Sequence, residues 1–482
     1  MNIMDSFPFP SLVPIIPEIA MLSLGVLLVF ADLVSNRRLQ ILPWLTVAGT
    51  LLCMGLLYAN QGGESFGGMF QADSYSFFFK NLILISVIFT SLISERYLPV
   101  VSLRNGEYYS LLVFAAVGMM FMASVADLVL LYMGLELMAL SVYCMVGLLK
   151  QETRSNEAAL KYFLMGAFSS GLLLYGISLV YGMTGTTKLV LLAQRLTELG
   201  ITENPALLAG VGLILAAFLF KVAAVPFHMW TPDVYEGAPT SVTAFMSVGP
   251  KAASFAVLGR VFFLAFSEVH IHWGPILACI ALFTMGIGNI MALSQKSIKR
   301  MLAYSAIAHA GYALLGVLAG TSEGLSATMN YLLVYAFMNM GAFGIIIMLC
   351  QKEQRGEDLE DYRGLAKQHP MVAALMLIFM FSLTGIPPTA GFVGKFYLFM
   401  AAINAGYTGV VIVAVVFSAI SAYFYLRVVR YMYMLDPEKD VVVNVSPGLS
   451  TALVLSVIGV LGLGLVPGSI LHVAAASIIG ID

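Results

Sequence analysis

Apolar runs long enough to cross a lipid bilayer recur along the whole chain, separated by short polar gaps. A helix needs roughly 20 mostly apolar residues to span the hydrocarbon core. The pattern predicts about fourteen such helices, near 11–32, 39–60, 75–96, 108–124, 126–149, 156–184, 205–229, 240–266, 273–294, 299–319, 323–350, 371–402, 406–433 and 447–475. No gap accommodates a soluble domain. The longest, about Gln351 to His369, reads as a loop, and an amphipathic stretch from about Lys188 to Leu199 reads as a surface helix. The first run lacks a basic leader and a cleavage site and reads as a retained helix. Tyr108, Tyr109 and Trp230 lie near run ends, where aromatics suit the membrane interface.

Composition narrows the class. Hydrophobic residues make up 60% of the chain and charged residues 10%, against roughly 25% charged in a soluble domain. Lipid is therefore the solvent. A net charge of −2 and the lack of a basic block give no sign of nucleic acid. Cys53, Cys144, Cys279 and Cys350 lie far apart without a CxxC pair or a Cys/His cluster, which argues against zinc or iron–sulfur binding. They read as small buried hydrophobes. Gly462 and Gly464 sit in an apolar helix with no preceding strand, so they read as helix packing rather than a nucleotide loop. The sequence has no phosphate loop, no hydrolase triad and no means of carrying electrons.

The distribution of Lys and Arg sets an orientation. Fifteen fall in odd-numbered loops, among them Arg37, Arg38, Arg104, Lys150, Lys296, Lys352, Arg355 and Lys367, against only Lys188 and Arg195 in even-numbered loops. By the positive-inside rule the odd loops are cytoplasmic and both termini lie outside.

Seven basic residues remain, all inside predicted helices: Lys80, Lys161, Lys221, Lys251, Arg260, Lys395 and Arg427. A charge at the bilayer centre costs roughly 2.5–3.5 kcal/mol on insertion scales. Lys80, Lys161, Arg260 and Arg427 lie toward helix ends, where they can snorkel or pair locally. Lys221, Lys251 and Lys395, with Glu136 and His309, fall near one depth on five different helices. That layout describes a path parallel to the membrane plane. The competing structural role is a set of buried ion pairs, but three lysines to one glutamate is unbalanced for that purpose. The chemistry suits protons. A buried lysine gives up its charge readily, and an adjacent carboxylate restores it. Histidine titrates near neutrality and can relay between the two halves; its bland alternative is a packing hydrogen bond.

Two of the helices are interrupted by proline. One carries Lys221 followed by Val225-Pro226-Phe227-His228; the other reads Gly385-Ile386-Pro387-Pro388 with Lys395 just beyond. Interior proline removes a backbone hydrogen bond, and the freed carbonyls must face protein or water. Broken helices at matching places in two halves point to a transport pathway. The seventh and twelfth helices are five apart, so the chain divides into three leading helices (1–105), a five-helix unit (106–270), a second, inverted unit (271–436) and a last helix (437–482).

These residues resemble a known family. Gly106-Glu107-Tyr108-Tyr109, Leu131 through Leu137, Lys221 through Pro239 (with its Pro-Phe-His-Met-Trp-Thr-Pro-Asp run), Lys299 through Ser305, His309-Ala310-Gly311-Tyr312 and Gly391 through Phe396 are similar to the subunit N family of bacterial NADH-quinone oxidoreductase, respiratory complex I. Its members are antiporter-like membrane subunits, and the match runs through most of the chain. The resemblance implies an all-α polytopic fold of fourteen helices with two inverted five-helix repeats. Glu136 would modulate Lys221, Lys251 and His309 would connect the halves, Lys395 would be the terminal lysine, and Lys161 an accessory site. Glu18, Asp73 and Lys80 also fit the family pattern, without an assigned role. NADH, FMN, iron–sulfur clusters and quinone would be handled by other subunits of the complex, with no cofactor or metal in this chain. The partners would be membrane-arm subunits, including antiporter-like neighbours, in the bacterial inner membrane. This chain would translocate protons. The alternatives are a subunit of a multi-component Na⁺/H⁺ antiporter and a scaffold that spaces other subunits.

Overall fold

The computed structural model describes residues 11–34, 41–60, 62–103, 105–200, 203–350 and 356–478. Arg37, Arg38, Arg104, Lys352 and Arg355, five of the residues behind the orientation, lie outside the described residues. Among the described residues, twelve helices are long and apolar enough to cross a membrane. Two further spans are broken, the seventh into Pro205–Lys221 and Trp230–Gly237 and the twelfth into Pro370–Thr384 and Ala390–Asn404. The total is the fourteen expected from the apolar runs.

Polar residues at the run ends set where helices start. Asp127 caps Leu128–Val146 by accepting from the Val129 amide, and Ser297 caps Ile298–Leu318 by accepting from the Arg300 amide. Such caps satisfy amides that the first turn leaves free. The predicted surface helix is Leu189–Leu199, which buries Leu189, Leu192 and Leu196. The short hairpin pairing Gly63–Ser65 with Phe70–Ala72 went unforeseen, because three-residue strands leave too little alternation to read. The last span is shorter than expected. Pro447–Leu465 ends ahead of Pro467, and a separate helix, Gly468–Ala476, follows; proline cannot donate its amide and stops the first helix.

Packing recurs at an interval of five spans. The closest helix pairs are Asn105–Ala123 with Leu128–Val146, and His270–Leu293 with Ile298–Leu318, the first two spans of each proposed unit. In both units the third span packs on the broken fourth. Thr240–Arg260, Ile298–Leu318 and Ser322–Leu349 are buried along almost their whole length, so these three helices form the middle of the bundle.

Candidate functional site

The backbone at each break is satisfied by specific partners. After Lys221 the chain turns through Ala223, which is left-handed at φ 64°. The Val225 amide donates to Thr284 Oγ1 at 2.9 Å, and Trp230 Nε1 donates to the Phe220 carbonyl at 3.1 Å. At the second break Gly385 adopts φ 91°, a conformation that suits glycine at a helix end. The Val225–Pro226 and Pro387–Pro388 peptides are cis.

Lys221 is the last residue of its half-helix and is buried. Its Nζ donates to Tyr143 Oη at 3.2 Å and lies 5.6 Å from the centroid of that ring. Glu136, two turns before Tyr143 on the fifth span, accepts from Ser170 Oγ of the sixth span. The carboxylate lies within electrostatic reach of Lys221 without an ion pair. Glu136 is half-buried, flanked on its helix face by the exposed Met133, Leu137 and Leu140.

Lys251 follows Pro250 inside Thr240–Arg260 and donates to the Ala306 carbonyl of the tenth span at 2.5 Å. His309, one turn further along that span, has both ring nitrogens on phenols. Nδ1 is 2.5 Å from Tyr331 Oη and Nε2 is 3.0 Å from Tyr425 Oη. Both Lys251 and Lys395 are within electrostatic reach of this imidazole. Lys395 reaches back across the second break. It donates to the carbonyls of Leu383 at 3.3 Å and Thr384 at 2.9 Å and to Ser418 Oγ at 2.9 Å, above the face of Tyr312.

The other four basic residues have a different environment. Lys80 pairs with Glu18 at 2.7 Å, both 1% exposed. Arg260 forms a two-pronged pair with Asp73. Lys161 pairs with Glu157 and Asp233 beside a cavity of about 250 Å³ that also meets Arg154 and Glu236. Arg427 donates to the carbonyls of Leu293 and Gln295 at the end of the ninth span. Lys80, Lys161 and Arg260 thus have carboxylate partners, and Arg427 has carbonyls. In contrast, no ion pair holds Lys221, Lys251 or Lys395 among the described residues.

Residues 125–421 match the family model of the NADH:quinone oxidoreductase/Mrp antiporter transmembrane region. The chain is 49% identical to NADH-quinone oxidoreductase subunit N of Desulfovibrio desulfuricans over 476 residues, covering 94% of each chain. It is 47% identical to subunit N 2 of Rhizobium meliloti, covering 96% of this chain and 97% of that one. The chain belongs to the NADH-quinone oxidoreductase subunit N family. It superimposes on a chain of respiratory complex I from Thermus thermophilus with bound aureothin, with a TM-score of 0.81 and 34% identity over 95% of this chain and 100% of that one. A chain of the Mrp complex from Dietzia sp. shares the fold, with a TM-score of 0.82 at 21% identity, covering 97% of this chain and 96% of that one.

Within this subunit N relative, the sequence left several polar contacts unrecognised. Tyr143, Tyr312, Tyr331 and Tyr425 are buried inside the spans, away from the interface where tyrosine usually sits. A buried phenol needs a hydrogen-bond partner, so the positions of Tyr312, Tyr331 and Tyr425 well inside their spans were the available signal, whereas Tyr143 lies one turn from the end of its span. Ser170 and Ser418 carried none, since serine is common in membrane helices.

Proposed function

We propose that this chain is the proton-translocating subunit N of an inner-membrane NADH-quinone oxidoreductase, with both termini on the outer side. One contrast carries the reading. The buried peripheral Lys80 and Arg260 pair with carboxylates, whereas the three central lysines are held by a phenol, carbonyls and a serine hydroxyl. A buried charge without a counter-ion costs several kcal/mol. A lysine placed this way is suited to gain and lose a proton; a strut would be paired.

In this reading Glu136 biases the proton on Lys221, Lys251 and His309 pass it between the two five-span units, 106–270 and 271–436, and Lys395 delivers it. Lys161, beside the carboxylates of Glu157 and Asp233, is an accessory site at the mouth of the first unit. The flavin, iron–sulfur clusters and quinone belong to partner subunits. Glu136 at the edge of an exposed apolar face places the coupling carboxylate where an antiporter-like neighbour would dock. The test is the purified complex in liposomes. Lys221→Ala and Lys395→Ala are expected to lower proton pumping and coupled NADH oxidation while the complex stays assembled. Normal pumping by both variants overturns the reading. Pumping sustained only with sodium present would favour the Na⁺/H⁺ antiporter alternative.

A further inference from the structure

The environment of His309 makes a specific demand on its protons. A neutral imidazole has one N–H donor and one lone-pair acceptor. Its two nitrogens meet Tyr331 of the eleventh span and Tyr425 of the thirteenth, at 2.5 and 3.0 Å. With either tautomer, one phenol must donate to the ring while the other accepts from it. Tyr425 Oη is also 2.5 Å from Ser305 Oγ, so the ordered chain runs Tyr331, His309, Tyr425, Ser305. All four residues are buried, and no described carboxylate pairs with the imidazole. Gly394, the residue before Lys395, packs against the Tyr331 ring, which brings the Tyr331 end of the chain beside the helix that carries Lys395.

Resting on the proton-path reading above, we propose that Tyr331 and Tyr425 carry the proton on either side of His309, which relays it by exchanging tautomers. In one direction the Tyr331 O–H bond breaks as Nδ1–H forms, and Nε2–H breaks as a new Tyr425 O–H forms. Tyr425 passes its original proton to Ser305 Oγ, whose own proton leaves for the neutral amine of Lys251, which sits on the carbonyl of the next residue, Ala306. Tyr331 is reprotonated from the Lys395 side. One proton enters, one leaves, and every member ends neutral. The reverse sequence serves the opposite direction. Afterwards the ring carries its hydrogen on the other nitrogen. A second proton cannot follow until the ring breaks these bonds and resets. The relay therefore passes one proton per conformational cycle and blocks continuous leak.

The test uses the intact complex in liposomes, with Tyr331→Phe and Tyr425→Phe made separately. Each keeps the ring and removes the hydroxyl. Pumping is expected to fall to the level of Lys395→Ala, with the chain still present in the purified complex. Normal pumping by both phenylalanine variants, with the lysine variants defective, overturns the relay and leaves the lysine path standing. Normal pumping by the lysine variants overturns the larger reading instead. Difluorotyrosine at position 331 or 425 covers a phenylalanine variant that fails to assemble. It retains the hydroxyl and makes it a stronger acid, so a relay changes its pumping rate several-fold. An unchanged rate at both positions assigns the phenols to structural support and overturns the proposal.

Discussion

Lys80 and Lys251 are both buried lysines in spanning helices, and they should respond oppositely to the same substitution. Lys80 lies 2.7 Å from Glu18, each 1% exposed, with its ammonium 4.7 Å from the Phe70 ring centroid. Lys80→Met strands the Glu18 carboxylate in a dry site. Breaking a buried pair from one side costs about 3–5 kcal/mol, roughly a 200- to 5,000-fold change in the folded fraction. Among the described residues, Lys251 donates only to the Ala306 carbonyl. Lys251→Met gives up that hydrogen bond, worth about 1.5–3 kcal/mol for a charged donor. It also removes the several kcal/mol of desolvation that an unpaired buried ammonium incurs. The two nearly cancel, so stability stays within about 1 kcal/mol while pumping is lost. The double variant Glu18→Met with Lys80→Leu replaces the pair by apolar packing and should recover both stability and pumping, since such swaps are commonly neutral. Retention of the chain in the complex after graded heating reports stability, and acidification of liposomes under NADH reports pumping. If Lys251→Met destabilises as much as Lys80→Met and the surviving complex pumps normally, the division of these lysines into structural and functional classes is wrong.

Two further outcomes follow from the packing and the exposed pairs. At Gly464 an added Cβ would lie 2.1 Å from the Pro388 carbonyl oxygen and 2.7 Å from the Ala390 amide; Gly464→Val is expected to cost about 1–3 kcal/mol by overpacking, seen as chain loss from the complex at lower temperature, while Gly462→Val, facing open space, costs nothing measurable. Lys161 is 43% exposed in its pairs with Glu157 and Asp233, so Lys161→Gln should change stability by less than about 1 kcal/mol yet slow pumping partially; an unchanged pumping rate would leave it a surface ion pair.

The apolar runs made all fourteen spans legible, because lipid admits only segments that satisfy their own backbone. The breaks were legible for the same reason, since Pro226 and Pro387-Pro388 cannot sit inside regular helix without partners for the freed carbonyls. The lysines showed through their cost. What the sequence concealed is which groups hold them. Glu136 reads as the carboxylate that modulates Lys221, and it sits on Ser170 while Lys221 sits on Tyr143. Thr284, which catches the Val225 amide, lies 59 residues away, and nothing local marks it. Ionisable residues stand out against an apolar background, whereas tyrosine and serine do not.

The two broken spans place their lysines differently. Lys221 closes the first half of the seventh span from within. Lys395 comes from the second half of the twelfth and reaches back to Leu383 and Thr384 at the end of the first half. The Lys395 ammonium therefore lies at the C-terminal end of a half-helix, where the carbonyls carry partial negative charge, whereas the Lys221 ammonium is held by Tyr143 Oη. Such an end attracts a cation by about 0.3–1 kcal/mol, and up to about 2 in partly buried geometry, well under the 3–5 kcal/mol at stake in a buried pair. The hold is enough to favour loading and weak enough to allow release. A full carboxylate should spoil it. Ser418 Oγ is 2.9 Å from the Lys395 ammonium, so Ser418→Asp supplies one without moving the helix. That variant should assemble and pump far more slowly, because its lysine keeps its proton. Ser418→Ala removes a single hydrogen bond and should pump closer to the native rate. If the aspartate variant pumps as the native complex does, weak binding at the half-helix end is not what makes Lys395 releasable.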